Sequence, residues 1–238
     1  PLPPRPVRGI ICDMDGTLVG SEYVCRAKYQ EVAKERGFVL TDEDFAAMIG
    51  HPPEISANIL GERLGNHAVV PDLRDEAHRR YRVAMHAGQV PPLSGVRDGL
   101  AWLTAQGIPL AVATSSLTEV AETKLAKVNL HHHFTAVVGR DQVTSPKPAP
   151  ETFQHAAARL GLKPEDCLAI EDSPTGLRAA VAAGTMAALI PDLVDPTSET
   201  VAMATWRFAS FGALIAWLQG WSSLPSFADH FAPASPAA

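Results

Sequence analysis

Asp13 and Asp15 stand two residues apart in Asp13-Met14-Asp15-Gly16-Thr17, directly after a short apolar run. A carboxylate can attack an electrophilic phosphorus, and a second one beside it can give up and take back a proton. Three further clusters carry complementary groups: Thr114-Ser115-Ser116, Lys147 and Glu171-Asp172. The Thr114 hydroxyl and the Ser115 and Ser116 amides, at the start of a helix, can donate to phosphate oxygens. Lys147 lies in Ser145-Pro146-Lys147-Pro148-Ala149-Pro150, where the prolines limit where its ammonium can go. It can neutralise charge on both a phosphate and Asp13. Asp13, Asp15 and Asp172, with Glu171 beside them, would repel one another without a cation, and hard oxygen donors suit Mg²⁺. Any one cluster alone reads equally well as a turn former, and Ser116 reads also as the cap of the helix after it.

Together these groups describe phosphoryl transfer. Asp13 would form an aspartyl-phosphate and so divide the reaction into two displacements. Asp15 falls on the same side of an extended segment. It would protonate the leaving oxygen and later deprotonate the attacking water, help worth about 10²–10⁴-fold in rate.

Such groups must be positioned by strand ends. Apolar runs over Val7–Cys12, Ile108–Ala113, Thr135–Val138, Cys167–Ile170 and Met186–Ile190 read as strands. Helical patterns over Val96–Gln106, Leu117–Val128, Pro150–Leu160 and Pro174–Ala183 separate most of them. Gly107, Gly161 and Gly184 follow helical runs, where a left-handed residue ends a helix. The alternation predicts an α/β fold with a doubly wound parallel sheet, whose ligands sit beyond the C-terminal ends of the strands. From Gly20 to Val90 the rhythm changes to helices alone, near Glu22–Arg36, Asp42–Met48, Pro52–Leu64 and Asp72–Ala87. Residues 1–19 and 91–238 are therefore expected to form the core and 20–90 an inserted all-helical cap domain. Trp206, Phe208, Phe211, Trp217 and Trp221 read as packing in a last strand and helix. The Pro-, Ala- and Ser-rich stretch 222–238 reads as a poorly ordered tail.

The 238 residues are 46% hydrophobic and 19% charged, which excludes a disordered chain. Net charge is −6 with no Lys/Arg run, so nucleic acid is not an expected partner. Cys12, Cys25 and Cys167 have no CxxC spacing, which argues against a disulfide framework or a zinc site. Neither a signal-peptide pattern nor an apolar run of about 18 residues is present, so no membrane partner and a cytoplasmic location are expected. Oligomeric state is not legible. Glu22, Tyr23 and His51 are candidates for facing a substrate from the inserted segment. Arg79, Arg80 and Arg82 read as a solvated charged face, and His131-His132-His133 as surface, since adjacent helical residues point apart.

The motifs Asp13-Met14-Asp15-Gly16-Thr17-Leu18, Ala113-Thr114-Ser115-Ser116, Lys147-Pro148-Ala149-Pro150-Glu151 and Ile170-Glu171-Asp172-Ser173-Pro174-Thr175-Gly176 occur in this order. In them the chain resembles the haloacid dehalogenase superfamily, specifically its phosphatase and β-phosphoglucomutase-like branch with a helical cap, over roughly residues 7 to 218. The resemblance implies a Rossmann-like core and a Mg²⁺-dependent phosphatase acting on a sugar phosphate or similar small phosphorylated metabolite. Asp13 is then nucleophile and metal ligand. Asp15 is acid and base, and gives its backbone carbonyl to the metal. Thr114, Ser115 and Lys147 bind the phosphoryl group. Asp172 is a metal ligand, and Glu171 either a ligand or a support for one. The family's common aspartate at position 20 is here Gly20, which suggests a more flexible linker. A histidine typical of the mutases is replaced by Cys25, and their cap-loop arginine is missing near Pro52-Pro53. Hydrolysis is thus favoured over β-phosphoglucomutase-like transfer between sugar hydroxyls. A phosphate-binding regulatory protein without turnover is a third reading, disfavoured by the intact set of groups.

Overall fold

The computed structural model describes residues 6–222. The expected tail beyond Ser222 and the side chain of Trp221 lie outside the described residues. In chain order the elements are β1 (Gly9–Cys12), α1 (Ser21–Glu35), α2 (Asp42–Ala46), α3 (Pro53–Leu64), α4 (Val70–His86), α5 (Val96–Ala105), β2 (Leu110–Ala113), α6 (Thr118–Lys127), β3 (Ala136–Val138), α7 (Glu151–Arg159), β4 (Cys167–Glu171), α8 (Pro174–Ala182), β5 (Met186–Leu189), α9 (Ser198–Met203), β6 (Trp206–Arg207) and α10 (Phe211–Ser222).

The six strands form one sheet in the order β3-β2-β1-β4-β5-β6, every pair parallel. All residues of β1, β2, β4 and β5 are buried, as they must be when helices cover both faces. One face packs Ile11, Ala111, Ala169 and Leu189 against Phe153, Ala156, Leu177 and Ala180 of α7 and α8. Elsewhere α5 and α10 meet closely: a Cβ at Gly99 would lie 2.7 Å from side-chain carbons of Phe211 and Ile215. Gly107, Gly161 and Gly184 adopt φ of 71°, 70° and 89°, which ends the preceding helices as expected. Trp217 stacks at a tilt on Trp206 and Phe208, with centroids 5.1 and 5.2 Å away.

The ladder runs one residue past the strand ends. Asp13 N–H donates to the Ile170 carbonyl (2.8 Å), Thr114 N–H to Val138 (3.0 Å) and Ile190 N–H to Glu171 (2.8 Å). With Cys12 in register with both Val112 and Ile170, the polar residues after β1, β2 and β4 leave the sheet along one edge.

The chain divides into two compact units, one comprising Gly20–Pro91 and the other the sequence on either side of it. The Gly20–Pro91 unit is all helical and has its own core, with Tyr29, Val32, Ala33, Phe45, Leu60, Leu73 and Ala77 buried together. At the junction Val19 and Pro92 form an antiparallel bridge. Leu93 N–H donates to Leu18 (3.0 Å) and Gly20 N–H to Pro91 (2.9 Å). Gly20 has φ −81°, a value open to any residue, so the backbone there makes no use of glycine's extra freedom.

Candidate active site

Asp13 follows β1 and is 7% exposed. Its Oδ1 accepts from Lys147 Nζ at 2.6 Å, and the same ammonium donates to Glu171 Oε1 at 2.6 Å. Lys147 also lies 4.9 Å from the centre of the Phe153 ring, a favourable place for a cation. Burial works against the ammonium, but Asp13 and Glu171 outweigh it and its pKa is raised. Burial raises the Asp13 carboxyl; Lys147 opposes that rise, while the charges of Glu171 and Asp15 add to it.

Glu171 ends β4 and is fully buried. Its Oε2 accepts from the Asp172 and Ser173 amides (3.1 and 3.2 Å) and from the Ser173 hydroxyl (3.0 Å). Gly176 leaves room for this carboxylate, because a Cβ there would lie 1.7 Å from Oε1. Asp172 Oδ1 accepts from the Thr17 hydroxyl at 3.3 Å. Its Oδ2 would be 2.3 Å from a Cβ at Gly16, where φ is 87°. Gly16 is thus fixed twice, by a left-handed turn and by the carboxylate against its Cα. One oxygen each from Asp13, Glu171 and Asp172 lie within 4.8 Å of one another. Burial, then the charges of Asp13 and Glu171, raise the Asp172 carboxyl well above the usual range. An all-carboxylate group whose members repel one another in a buried place is a donor set that fits a hard divalent cation.

The β2 end departs from expectation. Thr114 is buried and its hydroxyl accepts the Ser116 amide (3.1 Å), while Ser115 is exposed. No helix begins here. α6 starts at Thr118, after Leu117, and its first amide and hydroxyl donate to Asp141 Oδ1 at 2.8 and 2.9 Å. The positive end of that helix is therefore already met by a carboxylate from the loop after β3. Ser116 does not cap it. Its hydroxyl donates to Asp15 Oδ2 at 2.9 Å, and Lys124 Nζ on α6 reaches Asp15 Oδ1 at 2.6 Å. Sequence reasoning passed over Lys124. A signal was present: with Ala121, Leu125 and Val128 it falls on the inward stripe of an amphipathic helix.

Glu22, half-buried in the first turn of α1, and His51, exposed before α3, belong to the Gly20–Pro91 unit. Arg79 and Arg80 are bound to Glu76, and Arg80 to Glu35, as a solvated charged face requires. An arginine does reach the loop near Pro53, from α4: Arg74 donates to the Pro53 carbonyl at 2.8 Å. The histidine run forms a 3₁₀ turn, and His133 meets the Thr104 hydroxyl at 2.9 Å. Cys12 and Cys167 are buried thiols pushed up by burial, Cys167 to about 12.

The sequence model of the haloacid dehalogenase-like hydrolases matches residues 10–190. The fructose-1-phosphate phosphatase YqaB of Escherichia coli is 36% identical over 180 residues, spanning 74% of this chain and 92% of its own. A phosphorylated carbohydrates phosphatase of Thermotoga maritima is 31% identical over 179 residues, 75% of this chain and 82% of its own. The crystal structure of a HAD family hydrolase from Deinococcus radiodurans, with bound phosphate and sodium, superposes with TM-score 0.79 at 27% identity, covering 96% of this chain and 99% of that one. The fold, the order of the four motifs and these likenesses agree: the chain belongs to the haloacid dehalogenase-like hydrolase family, on its phosphatase branch.

Proposed function

We propose that this chain is a Mg²⁺-dependent phosphatase that hydrolyses a small phosphate monoester, a sugar phosphate or similar metabolite, through an aspartyl-phosphate on Asp13. The observation that carries the proposal is the buried group of Asp13, Lys147, Glu171 and Asp172 at the adjacent ends of β1 and β4. The sugar-phosphate class is supported by the names of the two relatives, which act on fructose 1-phosphate and on phosphorylated carbohydrates.

Asp13 and Asp172 would hold the metal, with the Asp15 backbone carbonyl. Both Glu171 oxygens already accept from Lys147 and from the start of the Asp172-Ser173 turn. We assign Glu171 to holding Lys147 and Asp172 in place. Bound there, Mg²⁺ supplies positive charge between the carboxylates and an anionic phosphate. Lys147, Thr114 and Ser115 bind and orient the phosphoryl group. Lys147 sets Asp13 by its 2.6 Å contact, so the attacking oxygen is aimed before substrate arrives. Asp15 gives a proton to the leaving oxygen in the first displacement and takes one from water in the second. Glu22 and His51 of the Gly20–Pro91 unit are proposed as substrate-specificity residues.

The deciding experiment is phosphate release from a panel of monoesters, including hexose phosphates, glycerol phosphate and nitrophenyl phosphate, with Mg²⁺ and with EDTA. Release that needs the metal and ranks a sugar phosphate first supports the proposal. No release under either condition sinks it in favour of a binding protein.

A further inference from the structure

α6 turns Ala121, Lys124 and Leu125 inward, and all three are buried. A lysine on an otherwise apolar stripe breaks the pattern that places the helix. Such breaks concentrate at functional sites. The Lys124 side chain is 6% exposed, and burying its ammonium is unfavourable unless an anion meets it. Asp15, whose side chain is 26% exposed, is an anion that meets it. Asp15 thus enters the site with each oxygen held by a different kind of partner: Oδ1 by the Lys124 ammonium and Oδ2 by the Ser116 hydroxyl.

The two partners are not equivalent. An ammonium only donates, so the oxygen it holds must keep a lone pair toward it. A hydroxyl donates or accepts, so Oδ2 can be bare or protonated and keep its partner in both states. We propose that Lys124 is a positioning residue for the proton-transfer steps, anchoring Asp15 through Oδ1 so that Oδ2 is the oxygen that exchanges the proton. This rests on the assignment of Asp15 as acid and base. In the first displacement the bond from phosphorus to the leaving oxygen breaks as the bond to Asp13 forms, and the proton on Oδ2 moves to the leaving oxygen. In the second, a water oxygen bonds to phosphorus, the Asp13–phosphorus bond breaks, and the water's proton moves to Oδ2. Lys124 itself exchanges no proton. Ser116 turns its hydroxyl as Oδ2 changes state.

A lysine that only ties α6 to the segment after β1 would affect all substrates alike. A lysine that aims the acid affects those whose leaving oxygen needs a proton. The test compares kcat/KM, which reports the steps through phosphoenzyme formation, for two substrates. Nitrophenyl phosphate leaves without protonation; the alkyl phosphate turned over fastest in the panel above does not. Lys124→Met is expected to lower kcat/KM for the alkyl phosphate about tenfold and for nitrophenyl phosphate less than about threefold, a part of the full acid–base effect. Lys124→Arg restores most of the loss. The ratio of the two substrates within one variant is independent of the fraction folded, so partial misfolding does not disguise the result. Equal losses on both substrates, or no loss on either, overturn the proposal. Asp15→Asn measured alongside separates the two levels: its own lack of asymmetry would remove Asp15 as the acid, whereas asymmetry in Asp15→Asn without any in Lys124→Met removes only the role of Lys124.

Discussion

Asp13 and Asp15 are separated by one buried methionine, yet each meets its own lysine, Lys147 from the loop before α7 and Lys124 from α6. Two carboxylates so close are thereby kept in different chemical settings, the condition for giving them different tasks. Asp13→Asn is expected to abolish both turnover and phosphoenzyme formation, read by trapping with a fast-quenched aryl phosphate. Asp15→Asn is expected to slow turnover by about 10²–10⁴-fold. Its Mg²⁺ affinity, read by titration calorimetry, should stay near that of the unaltered chain, because the Asp15 carboxylate is not among the three grouped oxygens. A matching loss of affinity in both variants would contradict this division. At this scale the sequence was readable where strand ends and chemistry coincide. Asp13, Glu171 and Asp172 meet because the neighbouring parallel strands β1 and β4 end together, and Lys147 reaches Asp13 and Glu171 from the loop before α7. Lys124 left a sign only in its place on the inward stripe of α6, and its bond to Asp15, like that from Ser116, was not readable. Each joins a residue after β1 to one a hundred or more positions away, and lysines and serines are ordinarily surface groups.

Helix limits follow local chemistry where a cap is local. Thr41 and Asp44 cap the start of α2 in a reciprocal pair: the Asp44 amide donates to the Thr41 hydroxyl oxygen (3.1 Å) and the Thr41 amide to Asp44 Oδ2 (2.9 Å). A helix of five residues has little stability of its own. Thr41→Ala should therefore cost the chain about 1 kcal/mol, read from its urea midpoint. Where the capping group comes from afar, the local pattern places the boundary without revealing what holds it: Leu117–Val128 is expected and α6 runs Thr118–Lys127. The start of α6 is fixed by Asp141, 23 residues on, and no periodicity within the helix reports it. α1 and α4 carry a second consequence in Tyr29 and His78, whose hydroxyl and Nε2 lie 3.0 Å apart. Burial, then the charges of Arg74 and Arg82, lower the His78 pKa from its ordinary 6.5. The unfolded chain then binds the proton more readily, so the stability this histidine contributes is present above 6.5 and lost as pH falls through the lowered value. Thermal unfolding should come earlier near pH 5.5 than near pH 7.5 (about one unit either side of an ordinary histidine). His78→Gln should flatten that difference; an unchanged slope would place its origin elsewhere.

Across the whole molecule, the order β3-β2-β1-β4-β5-β6 brings the ends of β1 and β4 side by side. The two arms of the proposed metal site, Asp13 and Asp172, then come from positions about 160 residues apart in the chain, as expected at the turning point of a doubly wound sheet. A ligand that joins them stabilises the folded state by mass action, about 2.7 kcal/mol at a hundredfold excess over its dissociation constant. Mg²⁺ should accordingly raise the melting temperature of the unaltered chain and leave that of Asp172→Asn unmoved, in the absence of any substrate. The alternation of strands and helices was legible because apolar runs alternate with helical patterns, and Gly107, Gly161 and Gly184 end three of the helices. The last strand and helix were legible from their aromatic residues, which pack on one another as β6 and α10, whereas α9 was not read. The bridge between Val19 and Pro92 gives the molecule one more property. The chain departs and returns at a single backbone rung, so the sheet is blind to how much polypeptide lies between. Residues 20–91 are in effect a cassette: replacing them at that rung is expected to leave the register of β1 unchanged, so that Asp13 still meets Lys147 in such a chimaera, which the loss of Mg²⁺-dependent thermal stabilisation would contradict.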